Sequence, residues 1–529
     1  MEIIYIYDLY NMLSYFLYFI LIIWISIQAF NLFSFSWGKT TQHHHHLPLP
    51  PGPRSFPIIG NLLELGHNPH KSLAKLSHIH GPIMSLKLGQ ITAVVVSSAD
   101  LAKEVLQTHD QLFSNRTVPD SLRACNHHHY GLPWIPVSPS WRNFRKMCSS
   151  YMFSAKALDT NKNLRHQKVQ ELLSYVGKMA GAGEAVDINT AGFNTSLSLL
   201  STTFFSLDWA DSSSNGDDMA GELKEIVFNI MESAGKPNLA DYFPFLRKVD
   251  PQGIRRNMAR QFRKMMGLFD RIINKRLPLL RESSGNIATG LRDGSHDILD
   301  NLLNYMMSEE NKEHQLLDKI AIEHFLVALF SAGTDTTSST LEWSMTELLR
   351  KPKILLKAQM ELDKVIGKGN QMKESDITRL PYLQAIIKEI FRLHPPAPLL
   401  IPRKAELDVE LCGYIVPKDA QVIVNIWAIS RDPKIWDNPN EFIPERFLES
   451  NIDVKGRNFE LLPFGSGRRI CPGLPLAMRM VDLMLGSLIH SFDWKFEEGV
   501  EADTINMEEM FGLTLQKAQP LRALAMLRM

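Results

Sequence analysis

The residues best placed to do chemistry lie near the C-terminus of this 529-residue chain, in the stretch FELLPFGSGRRICPGLPLAMRM, 459–480. Cys471 stands there one residue before Pro472, with Gly467, Arg469 and Gly473 around it and Phe464 upstream. Such a sulfur is a buried structural thiol, half of a disulfide, or the ligand of a group that the chain does not encode. The other cysteines are Cys125, Cys148 and Cys412, and no CxxC pair occurs, which is too sparse to staple a scaffold of this size. The disulfide is therefore the weakest of the three readings. After Pro472 the segment LPLAMRMVDLMLGSLIHSF has a helical period, so its N-terminal amides would face the sulfur and favour a thiolate. Gly467 and Gly473 would let the backbone come close to a bound group.

A second cluster, LFSAGTDTTSSTLEW, carries Ala332, Gly333, Thr334, Asp335, Thr336 and Thr337 in the middle of a long helical pattern. Small and hydroxylated residues are poor helix formers and can bond back to carbonyls, which opens a groove for a ligand or a water. In KEIFRLHPP, Glu389 and Arg392 are three apart on one helix face, and PERF supplies Arg446. Trp141 and Arg145, four apart in WRNFRK, share one side of another helix.

Positioning these groups takes a mainly helical body with minor β structure. Helical periodicity covers 100–109, 141–153, 165–180, 219–233, 317–350 and 382–393. GPIMSLKLGQITAVVVSS reads as a hairpin, and short strands are expected at 407–411 and 421–425. DSSSNGDD near Ser213 and the Gly/Ser-rich stretch 283–295 read as loops within one domain. Residues 9–38 carry no charge and as a helix could cross a ~30 Å hydrocarbon layer; the positive flank of Lys39 and Arg54 then puts the N-terminus in the lumen and the body in the cytosol. The expected organisation is a transmembrane anchor at 1–38, a proline-rich linker at 39–60 that includes His43 to His46, and a globular domain at 61–529. Lys plus Arg and Asp plus Glu both number 57, so no basic excess points to nucleic acid.

Phe464, Gly467, Arg469, Cys471 and Gly473 together form F-x-x-G-x-R-x-C-x-G, which resembles the haem-binding loop of the cytochrome P450 family. The likeness runs from the anchor through Leu527 and implies the cytochrome P450 fold, with haem b whose iron is held by the Cys471 thiolate. It implies that Phe464 covers the sulfur and that the propionates meet Arg469, Trp141, Arg145, Arg116 and Arg403. By the same match Thr336 holds a water that delivers protons where dioxygen binds, Asp335 relays them, and Glu389, Arg392 and Arg446 form a structural ion-pair triad. Substrate would meet Phe325, Ala328, Leu329, Ala332, Leu399, Leu400, Phe511 and Leu513. Electrons would come from NADPH through NADPH–cytochrome P450 reductase, since no G-x-G-x-x-G is present, with Arg142, Lys146 and Arg468 as docking charges.

Within the family, HNPHKSLAKLSHIHGPIMSLKLGQIT, ESAGKPNLADYFP, DPQGIRR and FGLTLQKAQPLRA resemble the plant geraniol 8-hydroxylases and related terpenoid hydroxylases. That implies hydroxylation of a small hydrophobic isoprenoid, such as the monoterpene alcohol geraniol, by a single-pass protein of the endoplasmic reticulum membrane. The rivals are a diterpenoid or alkaloid oxidase on the same fold, a haem-thiolate isomerase or dehydratase that works without dioxygen, and a haem sensor or carrier. One segment departs from the pattern. SLRACNHHHYGLPWIPVSPS carries His127, His128 and His129 in the expected substrate roof, and these are read as facing solvent.

Overall fold

The computed structural model describes residues 12–26, 47–209, 219–285, 297–309, 311 and 317–528, in two compact units, Met1–Pro48 and Leu49–Met529. In the first unit residues 12–26 are helical, with Tyr15, Phe19 and Trp24 exposed. That helix is about 22 Å long at 1.5 Å per residue. Among the described residues no helix is long and apolar enough to cross a membrane. The rest of the expected anchor, the His43 to His46 run and the loop around Ser213 lie outside the described residues, as does most of 283–295.

The second unit contains helices α1 (Pro69–His80), α2 (Ala99–Lys103), α3 (Pro139–Met147), α4 (Lys162–Ala182), α5 (Ile188–Phe205) and α6 (Met219–Gly235). They are followed by α7 (Ile254–Gly285), α8 (Ile298–Met307), α9 (Lys319–Arg350), α10 (Pro352–Ile366), α11 (Pro381–Leu393) and α12 (Leu474–Ser491). The expected helices at 100–109 and 141–153 each change pitch: α2 and α3 end in π-helical turns, Glu104–Thr108 and Cys148–Met152. Helix α7 continues to Gly285, into the start of the expected loop.

Helix α9 joins the two largest cores of the second unit. The Asp318 carboxylate accepts the Ala321 N–H at 2.6 Å and starts the helix; Lys351, placed before Pro352, ends it. Its first part, with Ile322, Phe325 and Phe330, belongs to a core shared with α3, α5, α7 and α8. Its last part, with Leu341, Met345 and Leu348, belongs to a second core shared with α4, α10, α11 and α12. A helix packed on nearly every face needs no amphipathic stripe, and the small hydroxylated stretch 331–340, open at Ala332, falls at the junction of the two cores. There α5 comes very close: a Cβ on Gly192 would sit 3.1 Å from Leu341 Cδ2 and 3.3 Å from Ser338 Cα.

A five-stranded sheet flanks the helices. The hairpin of β1 (Ile83–Leu88) and β2 (Ile91–Val96) is present as expected, and β2 pairs in parallel with a strand at Gln421–Val424, where one was also expected. That strand pairs with Arg403–Lys404, which pairs in turn with Asn115–Arg116 so that Arg403 lies directly opposite Arg116. Like charges at opposed positions repel unless an anion lies between them.

Candidate haem site

The Cys471 loop is fixed by contacts that only its own sequence permits. Gly467 has φ +68°, and a Cβ on it would sit 2.1 Å from the Leu106 carbonyl oxygen in the π turn after α2. The next residue, Arg468, clamps Asp110 with two hydrogen bonds of 2.7 and 3.1 Å. The Cys471 N–H donates to the Phe464 carbonyl at 3.0 Å, and Arg145 on α3 donates to the Ile470 carbonyl at 2.7 Å. Phe464 meets Phe391 edge-on at 5.2 Å. Helix α12 starts at Leu474, so the amides of Gly473 and Leu474 face the sulfur. Burial nevertheless pushes the thiol up from its ordinary value, opposed by those amides and by Arg145 and Arg116. The sequence foresaw the favourable partners; the depth of burial outweighs them, so the proton leaves most readily to a metal cation.

Arg116, Arg145, Arg403 and Arg469 converge on the cavity beside Cys471. Arg469 donates to the Ser114 and Ile135 carbonyls at 2.9 and 2.7 Å, Arg116 to Pro133 at 2.9 Å and Arg403 to Phe113 at 3.3 Å. No carboxylate pairs with any of these four among the described residues, and Arg116 Nε is buried without a partner. Burial holds Arg116 well below its ordinary value, with Arg403, Arg469 and Arg145 adding repulsion. Burial likewise lowers Arg469 to about 9 and Arg403 to about 10. Trp141 lies under two of the guanidiniums, 4.8 Å from Arg469 and 5.8 Å from Arg145. A buried cation cluster beside a buried sulfur fits one flat group that carries both a thiolate-binding metal and carboxylates, which is the composition of haem.

Above the sulfur the cavity, about 340 Å³ in volume, is lined mainly by apolar side chains. Ala328, Leu329, Ala332, Thr336 and Thr337 of α9 form one wall, and Leu400 and Leu513 face it. The Thr336 hydroxyl donates to the Ala332 carbonyl at 2.6 Å, one turn back. Asp335 points elsewhere: its carboxylate is buried and accepts from Gln516 Nε2 at 2.5 Å, and burial raises it to about 6.

Several expected substrate contacts sit outside the cavity. Phe325 is fully buried and stacks on Phe144 at 4.7 Å, because its face of α9 belongs to the packed core. Leu399 packs against the core that α1 shares with the sheet, and Phe511 stacks on His70 of α1 at 5.6 Å. The reading of the histidine run as solvent-facing is corrected for His127, which is 3% exposed and lines the cavity, whereas His129 is exposed. Leu122, Trp134, Phe262, Ile401 and Thr514 also line it, and no local pattern in the sequence marked them.

On the far side of α11, Arg392 donates to Glu389 at 2.6 and 2.7 Å and Arg446 reaches the same carboxylate at 3.1 Å. The remaining Arg392 donors reach the carbonyls of Ser430, Pro439 and Glu441. The triad ties α11 to the 438–446 segment and touches no part of the cavity. Arg142 and Lys146 are exposed on α3, while Arg468 is spent on Asp110.

The pattern of the cytochrome P450 family matches residues 50–522. The chain is 54% identical to geraniol 8-hydroxylase of Swertia mussotii, over 90% of this chain and 93% of that one. It is 55% identical to geraniol 8-hydroxylase of Catharanthus roseus with the same coverage, and 49% identical to drimenol monooxygenase of Persicaria hydropiper over 96% of each chain. The family uses a cysteine-ligated haem iron and electrons that come from NADPH through a reductase. With the sulfur, the cation cluster and the apolar cavity in one place, the chain belongs to the cytochrome P450 family and is a monooxygenase.

Proposed function

We propose that this enzyme hydroxylates a small isoprenoid alcohol of the monoterpene class, with geraniol as the model substrate and the carbon remote from its hydroxyl as the target. The observation that carries the reading is the apolar cavity over Cys471, set beside the identity to two geraniol 8-hydroxylases. Haem held by Cys471 supplies dioxygen activation and the insertion of one oxygen atom into a C–H bond, the second oxygen leaving as water with two electrons from NADPH. Arg116, Arg145, Arg403 and Arg469 hold its carboxylates. The Thr336 hydroxyl, at the cavity wall, positions a water as proton donor; the Asp335 carboxylate, turned from the cavity to Gln516 and raised to about 6 by burial, relays protons to it only by swinging away from Gln516. The apolar helix at 12–26 supports attachment to the endoplasmic reticulum membrane with the domain in the cytosol. Exposed Arg142 and Lys146 serve as docking charges for an acidic reductase.

Reconstitution with a reductase and a panel of monoterpene alcohols, iridoids, diterpenes and alkaloids, with products identified by mass spectrometry, tests the reading. The expected product is a monoterpene diol formed with one NADPH per turnover. Conversion of diterpenes or alkaloids alone would move the substrate class to the rival oxidases, and turnover without NADPH would leave an isomerase.

A further inference from the structure

The roof of the cavity holds a pair of histidines that oxygen chemistry does not require. His127 and His324 meet Nδ1 to Nδ1 at 2.9 Å, brought together from 197 positions apart. Phe262 packs on His127 at 4.5 Å and Tyr130 stacks on His324 at 5.2 Å, so neither ring is free to swing. Burial keeps both neutral, His127 lowered to about 3 and His324 to about 4. Two neutral rings facing in this way share one hydrogen, which leaves Nε2 of His127 as the group presented beyond the pair. That nitrogen has no partner among the described residues, yet it is not among the sealed-off atoms, and the ring lines the cavity.

Among the described residues, no hydroxyl of the cavity wall offers a free hydrogen to open space. The hydroxyls of Ser196, Thr336 and Thr337 donate to the carbonyls of Gly192, Ala332 and Gly333. Those of Ser331 and Thr514 are shut away from open space. The four arginines cluster at the Cys471 end.

We propose that His127 Nε2 is the anchor for a substrate hydroxyl, and that it sets both the preference for an alcohol and the remoteness of the carbon oxidised. His324 gives its own N–H to the Cys125 backbone, so the hydrogen shared between the rings is that of His127 and its Nε2 accepts; a hydroxyl can donate to it, whereas an ether oxygen and a hydrocarbon cannot. Leaving a buried polar atom unpaired is what rejects the analogue that lacks the group. His324 and Thr336 lie on one helix, about 18 Å apart along its axis at 1.5 Å per residue. An oxygen held beside His324 therefore keeps the hydroxyl end of the substrate at the wall away from Thr336 and leaves the other end of the skeleton to point along the cavity toward Cys471. The anchor deepens the reading of the enzyme as a terpene-alcohol hydroxylase and rests on it for the skeleton alone.

The test is a spectral titration of the haem-loaded, full-length protein with geraniol, geranyl methyl ether and a hydrocarbon of the same skeleton, using wild type, His127→Phe and His127→Gln. Wild type is expected to bind the alcohol about tenfold more tightly than the ether, the worth of one buried hydrogen bond. In His127→Phe the alcohol falls to the level of the ether, whose own affinity stays within twofold of wild type, as a rough bound; His127→Gln restores most of the preference. In turnover His127→Phe spreads oxidation over several carbons. Equal binding of alcohol and ether by wild type overturns the proposal, as does equal weakening of both in the variants. If His127→Phe does not fold, the wild-type contrast and His127→Gln decide the matter. An intact alcohol preference without conversion of any monoterpene alcohol leaves the anchor standing and overturns only the substrate skeleton.

Discussion

At the scale of single residues, the site is an arrangement of charges that burial has pushed away from their ordinary behaviour. Cys471→Ser keeps the volume and loses the soft ligand, so the reduced, carbon-monoxide-bound protein should lose its thiolate-type Soret band; a band that survives at full height would remove Cys471 from the metal. Asp335 gives a prediction with a definite sign. Its carboxyl is raised in the fold to about 6, above its value in the unfolded chain, so ionisation opposes folding at neutral pH and has no effect once both states are protonated below about pH 4. Asp335→Asn, which can still accept from Gln516, is expected to raise stability by on the order of 2 kcal/mol at pH 8 and to leave it unchanged near pH 4. Thermal melts across that range provide the check, and kcat should fall in the same variant. The local motifs were legible in the sequence because each is a short spacing with one physical meaning: a cysteine between glycines ahead of a helix, or Glu389 and Arg392 one turn apart. His127 was not, because what buries it is Phe262 and His324, and nothing near position 127 announces them.

At the scale of elements, the cysteine loop and the end of α11 are the places where one side chain decides local structure. Gly467 is forced twice, by its left-handed backbone and by the Leu106 carbonyl at 2.1 Å from any Cβ. Gly467→Ala should therefore displace the loop from the π turn after α2 and abolish haem retention, read as the ratio of Soret to protein absorbance in the purified chain. Glu389→Ala leaves Arg392 and Arg446 buried without their carboxylate and should cost about 3–5 kcal/mol. Most of that chain should then be recovered as insoluble protein, whereas a soluble variant with an unchanged melting temperature would assign the triad no structural role. Element positions followed the expected spans closely for α4, α9 and α11, with a side-chain cap on α9 and a proline at the start of α11. Pitch changes did not show, since the π turns after α2 and α3 alter hydrogen bonding without altering the pattern of apolar residues. Phe511 and Leu513 were both expected to meet substrate, but they sit at the turn between two short strands, where strand alternation does not hold, and Phe511 goes to His70 instead.

At the scale of the whole molecule, the hydrophobic cores among the described residues lie within Leu49–Met529. A chain lacking residues 1–48 should retain the thiolate-type band and lose sedimentation with membranes, which separates attachment from catalysis. The mainly helical architecture was legible from composition and period, because α9 and its neighbours repeat the same signal many times. Which helix faces meet around the cavity was not, because that depends on contacts such as Gly192 against Ser338 between distant segments. The cluster of Arg116, Arg145, Arg403 and Arg469 also has a consequence for the order in which the protein is made. Two of these arginines face each other across adjacent strands, a pairing that like charge weakens and that a bound diacid would strengthen. Newly synthesised chain should therefore wait in a looser, salt-sensitive form whose melting temperature rises with added phosphate, while the haem-loaded protein is indifferent to it. The supply of haem, more than the rate of translation, would then set how fast finished enzyme accumulates.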